Sequence, residues 1–410
     1  MKTKKSILYV LIFNLILPPV YSLTNVVGLP EGFVTLNGGV TGGEGGTVLT
    51  VTNQEELIEA IDGFGNEACI VLVKDTITVN GELSGRGNKT IVGLGTDACI
   101  MGGGFGFNTK SNVIIQNINF EDAPDDLIKI NNKCTNFWID HCTFSDGANT
   151  NEHDGMLDIT RGTQYVTVSY CHFFNHDKNI LIGHSDSETG DTAIRVTLHH
   201  NWFNGTIQRN PRVRYATVHC YNNYHVSNTT YGIASACDAY VLVENCYFKD
   251  TEIPLQVGVP EYSPAGYLNQ NGCYFSNCGT PQTNYVDMTG RFPYTYQLDS
   301  VETVPSLAEM YMGSGKDYRT LSLLPEVSVP DLTLRWDGRT ITFASPVTNP
   351  AKLTLYSSDG RLLGVPFHGW IEANELNQVQ LDISQLKKGC YLIRLETPVT
   401  SSQVKQILPK

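Results

Sequence analysis

The sequence predicts an all-β protein: a solenoid of short parallel strands followed by a small antiparallel β-sandwich. Two observations carry the solenoid. Alternating segments recur at a loose period, and almost no helical pattern separates them. A third, a change of texture after Pro330, carries the sandwich. Aligned, IQNINF, IDHCTF, VSYCHF, LHHNWF, VENCYF and QNGCYF place Ile118, Cys142, Cys171, Asn201, Cys246 and Cys273 two residues before a Phe. Asn223 of HCYNNYH fits the same slot, and successive slots then lie 24, 29, 30, 22, 23 and 27 residues apart. That spacing is in the range of solenoid repeats, whose equivalent residues stack about 4.8 Å apart.

The chain opens with MKTKKSILYVLIFNLILPPVYS, three lysines ahead of an apolar run, which predicts a signal peptide over residues 1–22. The apolar run is too short for a membrane span, which needs about 20 residues. Removing Lys2, Lys4 and Lys5 and no acid takes the net charge from -13 to -16. So acidic a chain is not expected to bind nucleic acid or enter a membrane. An anionic ligand would need a local basic site or a cation. In GGVTGGEGG the ending of a phosphate loop is missing, and a turn is expected. TNQEELIEAIDGFG then predicts a short helix closing the first rung, capped by Thr52 or Asn53, with apolar Leu57, Ile58 and Ile61.

The eleven cysteines are odd in number, and their recurrence in one slot reads mainly as small apolar fillers of a ladder. A Cys273–Cys278 pair is left open. The solenoid is expected over residues 23–330. From residue 331 to 410, LTLRWDGRTITF, AKLTLYSSDGRLLG, VQLDI and KKGCYLIRLE are alternating runs joined by Asp-Gly or Lys-Gly turns, the pattern of the sandwich.

Chemistry concentrates in APDDLIKI, HDGMLDI, HDKNILIGHSDS and QRNPRVRY, each at the end of a strand segment and so aligned on one flank. Asp126, Asp154 and Asp158 on neighbouring rungs would repel, and a hard divalent cation is the simplest relief. In a straight strand Asp154 and Asp158 would lie about 13 Å apart. A shared ion therefore requires a turn at Asp154-Gly155. The alternative for HDGMLDI is a capped turn, and the residues alone favour neither. Three arginines within QRNPRVRY call for an acidic partner segment or an anionic ligand.

Together, WIDHCTFSDG, VTVSYCHFFNHDKNILIGHSDS and QRNPRVRY, with TIVGLGTDACI and SNVIIQNINFEDA, resemble the signature segments of the pectate lyases of polysaccharide lyase family 1. The resemblance spans roughly residues 30 to 290. It implies a right-handed parallel β-helix, secreted and monomeric, that cleaves polygalacturonate by Ca2+-dependent β-elimination. By match to the family's motifs, Asp126, Asp154 and Asp158 are the calcium ligands, and Lys178 and Arg214 hold the substrate. Arg209 is the catalytic base, and Asp140 and His141 support the groove from beneath. A guanidine keeps its proton to above about pH 12, so a base at Arg209 needs neighbouring cations and an alkaline optimum is expected. Asn210 departs from the family's usual apolar residue, and Pro124 stands where some members carry a further acid, so weaker or substrate-assisted calcium binding is expected. The ending around Gly389–Arg394 resembles the sorting domains of type IX secretion, which implies a secretion-machinery partner. A stabilising or carbohydrate-binding appendage is the alternative. Two rivals come from other classes: a hydrolase using Asp125-Asp126, and a non-catalytic pectin binder. Neither gives the basic cluster a role.

Overall fold

The computed structural model describes residues 30–145 and 153–316, together with strands between residues 333 and 408. The expected signal peptide lies outside the described residues. The chain divides into two compact units, Met1–Ser322 and Leu323–Lys410.

In the first unit a 23-stranded sheet winds as a parallel β-helix with three faces. The long face stacks Ser111–Gln116, Thr135–Asp140, Gln164–Ser169, Arg195–His199, Thr217–Tyr221, Tyr240–Glu244 and Tyr267–Asn271. Three-residue strands such as Thr143–Ser145, His172–Phe174 and Trp202–Asn204 stack on the short face. A third face holds β1 (Ile128–Asn131), β2 (Gly155–Ile159), β3 (Lys178–Ile182), β4 (Arg212–Arg214) and β5 (Ile233–Ala236).

Alternation turns one column of each face inward. On the long face Val113, Phe137, Val166, Val196, Val218, Val241 and Leu268 are in register and buried. On the short face Phe120, Phe144, Phe173, Phe203, His225, Phe248 and Phe275 form an interior ring ladder. Its central rings stack at 4.7 Å for Phe144–Phe173 and 5.1 Å for Phe173–Phe203. Such stacking adds to the burial of each ring. The recurring sequence slot is the corner beside this ladder. Cys142, Cys171 and Cys246 are buried there as free thiols. Asn201 occupies the slot with full hydrogen bonding: its Oδ1 accepts from the Cys171 N–H at 3.0 Å, and its Nδ2 donates to Asn223 Oδ1 at 3.0 Å. Cys273 and Cys278 are both free thiols, so the open pair does not form.

The capping helix forms as Gln54–Ile58, with Asn53 accepting from the Glu56 N–H at 3.0 Å. Leu57 and Ile61 are buried, whereas Ile58 is exposed, contrary to the apolar face read from sequence. The glycine-rich turn before it is pressed onto the first rungs. A Cβ at Gly43 would meet the Cys69 carbonyl oxygen at 2.0 Å, so only glycine permits the approach.

Past the last rung the chain runs back along the solenoid. The Tyr294 hydroxyl lies 2.9 Å from the Thr197 hydroxyl, and that of Tyr296 donates to Glu244 at 2.7 Å. Asp299 lies 2.9 Å from His200 Nε2. The helix Val304–Tyr311 then packs Val304 and Ala308 against Tyr224, and Ser314 reaches Asn119 at 2.6 Å. In the second unit, antiparallel sheets of three and four strands carry buried Ile341 and Phe343, and Leu353, Leu355, Ile393 and Leu395 respectively. Phe343 and Phe367 meet across the two sheets, with ring centres 5.1 Å apart.

Candidate active site

Polar residues gather where β1, β2 and β3 begin. Asp126, just before β1, is buried, and its Oδ1 accepts from the Gly155 N–H at 2.8 Å. A Cβ at Gly155 would lie 2.5 Å from Asp126 Oδ1 and 3.3 Å from Asp158 Oδ1, so glycine admits both carboxylates to the same spot. The sequence argument needed a turn at Asp154-Gly155. Instead Gly155 opens an extended strand, and Asp126 from the preceding rung fills the space beside it.

Ligand oxygens of Asp125, Asp126 and Asp154 lie within 4.8 Å of one another. Asp125 was not among the expected ligands, and Asp158 is not in this tightest group. Asp158 is in register with Lys129 of β1, and its Oδ1 approaches Gly155 beside that of Asp126. The carboxylates respond to their crowding. Burial, with Asp126 and Asp154 adding, pushes Asp158 up to about 8 against the pull of Arg209 and Lys129. Burial likewise raises Asp126, opposed by Lys129. Asp154 is exposed and moves the other way, because Lys178 Nζ donates to its Oδ1 at 2.9 Å. Lys129 contributes a second cation, 2.5 Å from Asp125 and 3.6 Å from Asp126.

The arginines stand on the next rungs. Arg209 adopts φ 59, a left-handed conformation unusual for a bulky side chain, and its buried Nε has no hydrogen-bond partner. Its carbonyl accepts from the Ile180 N–H at 2.8 Å, which ties it to β3. An interior polar ladder fixes this corner. Asn210 Oδ1 accepts from Asn179 and, at 2.9 Å, from the Thr206 hydroxyl, and Asn210 Nδ2 donates to the Tyr231 carbonyl at 2.9 Å. The residue that departs from the usual apolar one is thus a buried, bonded polar group.

On β4, Arg214 Nε donates to Asp186 at 2.6 Å, and Arg212 Nη2 donates to the Ser263 hydroxyl at 2.6 Å. Ser263 in turn donates to Asp186 at 2.7 Å. Burial foremost, then Arg214, lowers the proton affinity of Arg212. Sequence reasoning missed Asp186 and Ser263. Asp186 lay within a quoted motif, and the demand of Arg214 for an acid was the available signal. Asp140 and His141 are the reverse case. Asp140 accepts from the Ser169 hydroxyl at 2.6 Å and lies 2.7 Å from His141 Nδ1, all on the long face. They support that face and not the one bearing the carboxylates.

Clustered acids, of which Asp126 is buried, beside two lysines and with an unsatisfied arginine nitrogen on the adjoining rung, suit the capture of a cation together with an acidic substrate.

A pectate lyase family model matches residues 5–317, and a secretion system C-terminal sorting domain matches residues 337–409. The chain is a secreted or cell-surface protein. It is 33% identical to pectate trisaccharide-lyases of Bacillus licheniformis over 299 residues and of Thermotoga maritima over 330 residues, in each case covering 70% of this chain and 86% of the relative. A pectate lyase from Bacillus sp. N165, solved in complex with trigalacturonate, superposes with a TM-score of 0.62 at 30% identity, covering 70% of this chain and 99% of that one. A family model across most of its length, and relatives sharing 33% of residues with it, show that the chain belongs to the pectate lyase family of polysaccharide lyases.

Proposed function

We propose that this pectate lyase is secreted through its C-terminal domain and cleaves de-esterified polygalacturonate by calcium-dependent β-elimination. The observation that carries this reading is the carboxylate cluster set beside Lys178 and the unpaired Nε of Arg209. Trigalacturonate in the complex of the Bacillus sp. N165 relative supports the substrate class.

The residues fit a calcium ion: acidic oxygens from Asp126, Asp154 and Asp158 would hold it, with Asp125 in reach, and a cation would offset the burial and the carboxylate repulsion that together raise Asp158. When bound, calcium neutralises the substrate carboxylate next to the reacting carbon. Lys178 exchanges its bond to Asp154 for the uronate carboxylate. Arg214, oriented by Asp186, binds the chain one rung on. Arg209 takes the C5 proton, the bond from C4 to the glycosidic oxygen breaks as the C4–C5 double bond forms, and the leaving oxygen takes a proton from water. Hydrogen-bond donors already fixed before substrate arrives stabilise the charge that develops on the carboxylate.

The test is turnover of polygalacturonate, followed by the ultraviolet absorbance of the unsaturated product, with calcium and with a chelator. Absorbance that appears with calcium and vanishes in chelator is expected. Full activity in chelator refutes the metal requirement, and new reducing ends without absorbance refute elimination.

A further inference from the structure

A second concave site lies where the long-face strands begin, lined by none of the residues discussed above as catalytic. It has a volume of about 350 Å³, and Gln164, Tyr165, Arg195, Thr217 and Arg291 are among the residues that line it. Phe33 also lines it, and its ring meets that of Tyr294 edge-on at 5.0 Å between centres, where the opening segment meets the returning one. Both guanidinium groups are held in place. Nη1 of Arg195 donates to the carbonyls of Thr192 and Ile194, each at 2.8 Å. The guanidinium of Arg291 lies 3.3 Å from the centre of the Tyr240 ring. Arg195, Thr217, Tyr240 and Tyr267 occupy one register column, and the two tyrosine rings stack at 5.0 Å.

Neither guanidinium forms an ion pair with a carboxylate among the described residues. The acid that responds to Arg291 is Asp287, whose proton affinity is lowered chiefly by Thr289 and only last by Arg291. Burial lowers the proton affinity of Arg195, and Arg291 adds to this against the opposing Tyr165. In a chain with 41 acidic and 28 basic residues, two fixed guanidiniums sharing a cavity without an acid between them call for an anion from outside. Planar guanidinium donors match a carboxylate, and an aromatic side chain in the lining suits the apolar face of a sugar ring.

We propose that this cavity is a second, non-catalytic site that binds a uronate unit of polygalacturonate outside the cleavage groove. The identity of the sugar rests on the pectate-cleaving reading, whereas the demand for a carboxylate rests on the cavity alone. Two sites on one chain would hold the polymer by an intramolecular second contact and raise its effective concentration at the groove.

The experiment is calorimetric titration of trigalacturonate into the full chain carrying Arg209→Lys, with calcium, in the presence and absence of a further Arg291→Gln change. Arg291→Gln leaves the carbonyl bonds of Arg195 intact, and an unchanged melting temperature verifies the fold. Two sites are expected, one of which weakens by about tenfold or more with Arg291→Gln. In the otherwise unmodified enzyme Arg291→Gln should leave kcat on trigalacturonate unchanged. One site that Arg291→Gln does not affect overturns the proposal. One site that Arg291→Gln weakens supports the cavity and refutes the groove. A neutral galactose trisaccharide binding equally well, or inorganic phosphate displacing trigalacturonate at equal concentration, overturns the uronate assignment.

Discussion

Replacing Asp158 by Asn tests the crowding of carboxylates directly. Asp158 is held at about 8 by burial, with Asp126 and Asp154 adding, while Arg209 and Lys129 oppose. In the unfolded chain the group titrates near 4. Because the folded value is the higher one, its contribution to stability is complete below about pH 4 and is lost as the pH rises through 8. Asn is neutral throughout and of similar size, so the variant should not share that loss. A tenfold change in proton affinity is worth about 1.4 kcal/mol, so the gap between folded and unfolded chain sets a ceiling of about 6 kcal/mol. Asp126 carries part of the same charge, so about 3 kcal/mol is the working figure. For a domain of this size that is roughly 4–6 °C in Tm. The assay is calorimetric melting in chelator between pH 5 and 9. The Tm of the unmodified protein should fall relative to that of Asp158→Asn, and added calcium should restore it at pH 9. Parallel Tm profiles for the two proteins across that range would refute the reasoning.

Three further outcomes are expected. Arg209→Lys keeps a positive charge but moves the proton-accepting atom, and a displacement of about 1 Å can cost 10²-fold; turnover should collapse while polygalacturonate still binds, and near-normal turnover would place the base elsewhere. Asp186→Asn frees Arg214 and should raise KM for polygalacturonate about fivefold with little change in kcat, as Arg214→Lys should do more strongly; an unchanged KM would remove Asp186 from substrate orientation. Phe173→Ala opens a gap between two stacked rings and should cost about 3–5 kcal/mol by denaturant unfolding, with a cost under 1 kcal/mol showing that the ladder collapses into the gap.

The rungs were legible because alternation and the recurring Cys or Asn slot are local properties, repeated at each turn of the chain. Phe120, Phe144, Phe173, Phe203 and Phe248 fell into register without knowledge of the turns between them. The acids and arginines were legible as a flank for the same reason. Relations that depend on three-dimensional proximity at large sequence separation were not. Ser263 meets Arg212 across 51 residues, and Asp186 meets Arg214 across 28. Asn210 departed from the apolar pattern, and only the neighbouring rungs reveal Asn179 and Thr206 as its partners. The returning segment escaped notice because its tyrosines and Asp299 carry no period. Their partners lie on rungs 52 to 99 residues earlier.

That returning segment changes how the solenoid comes apart. A stack of rungs that touch only their neighbours frays from its ends, and each rung opens nearly independently of those far away. Here one covalent run touches Glu244, Asn222, His200, Tyr170, Thr143 and Asn117 in turn, so opening any of those rungs also loosens a segment shared with the others. Amide protons along the long face should therefore exchange as one cooperative unit, with similar protection from the rung of Asn117 to that of Glu244 and not a gradient rising toward the middle.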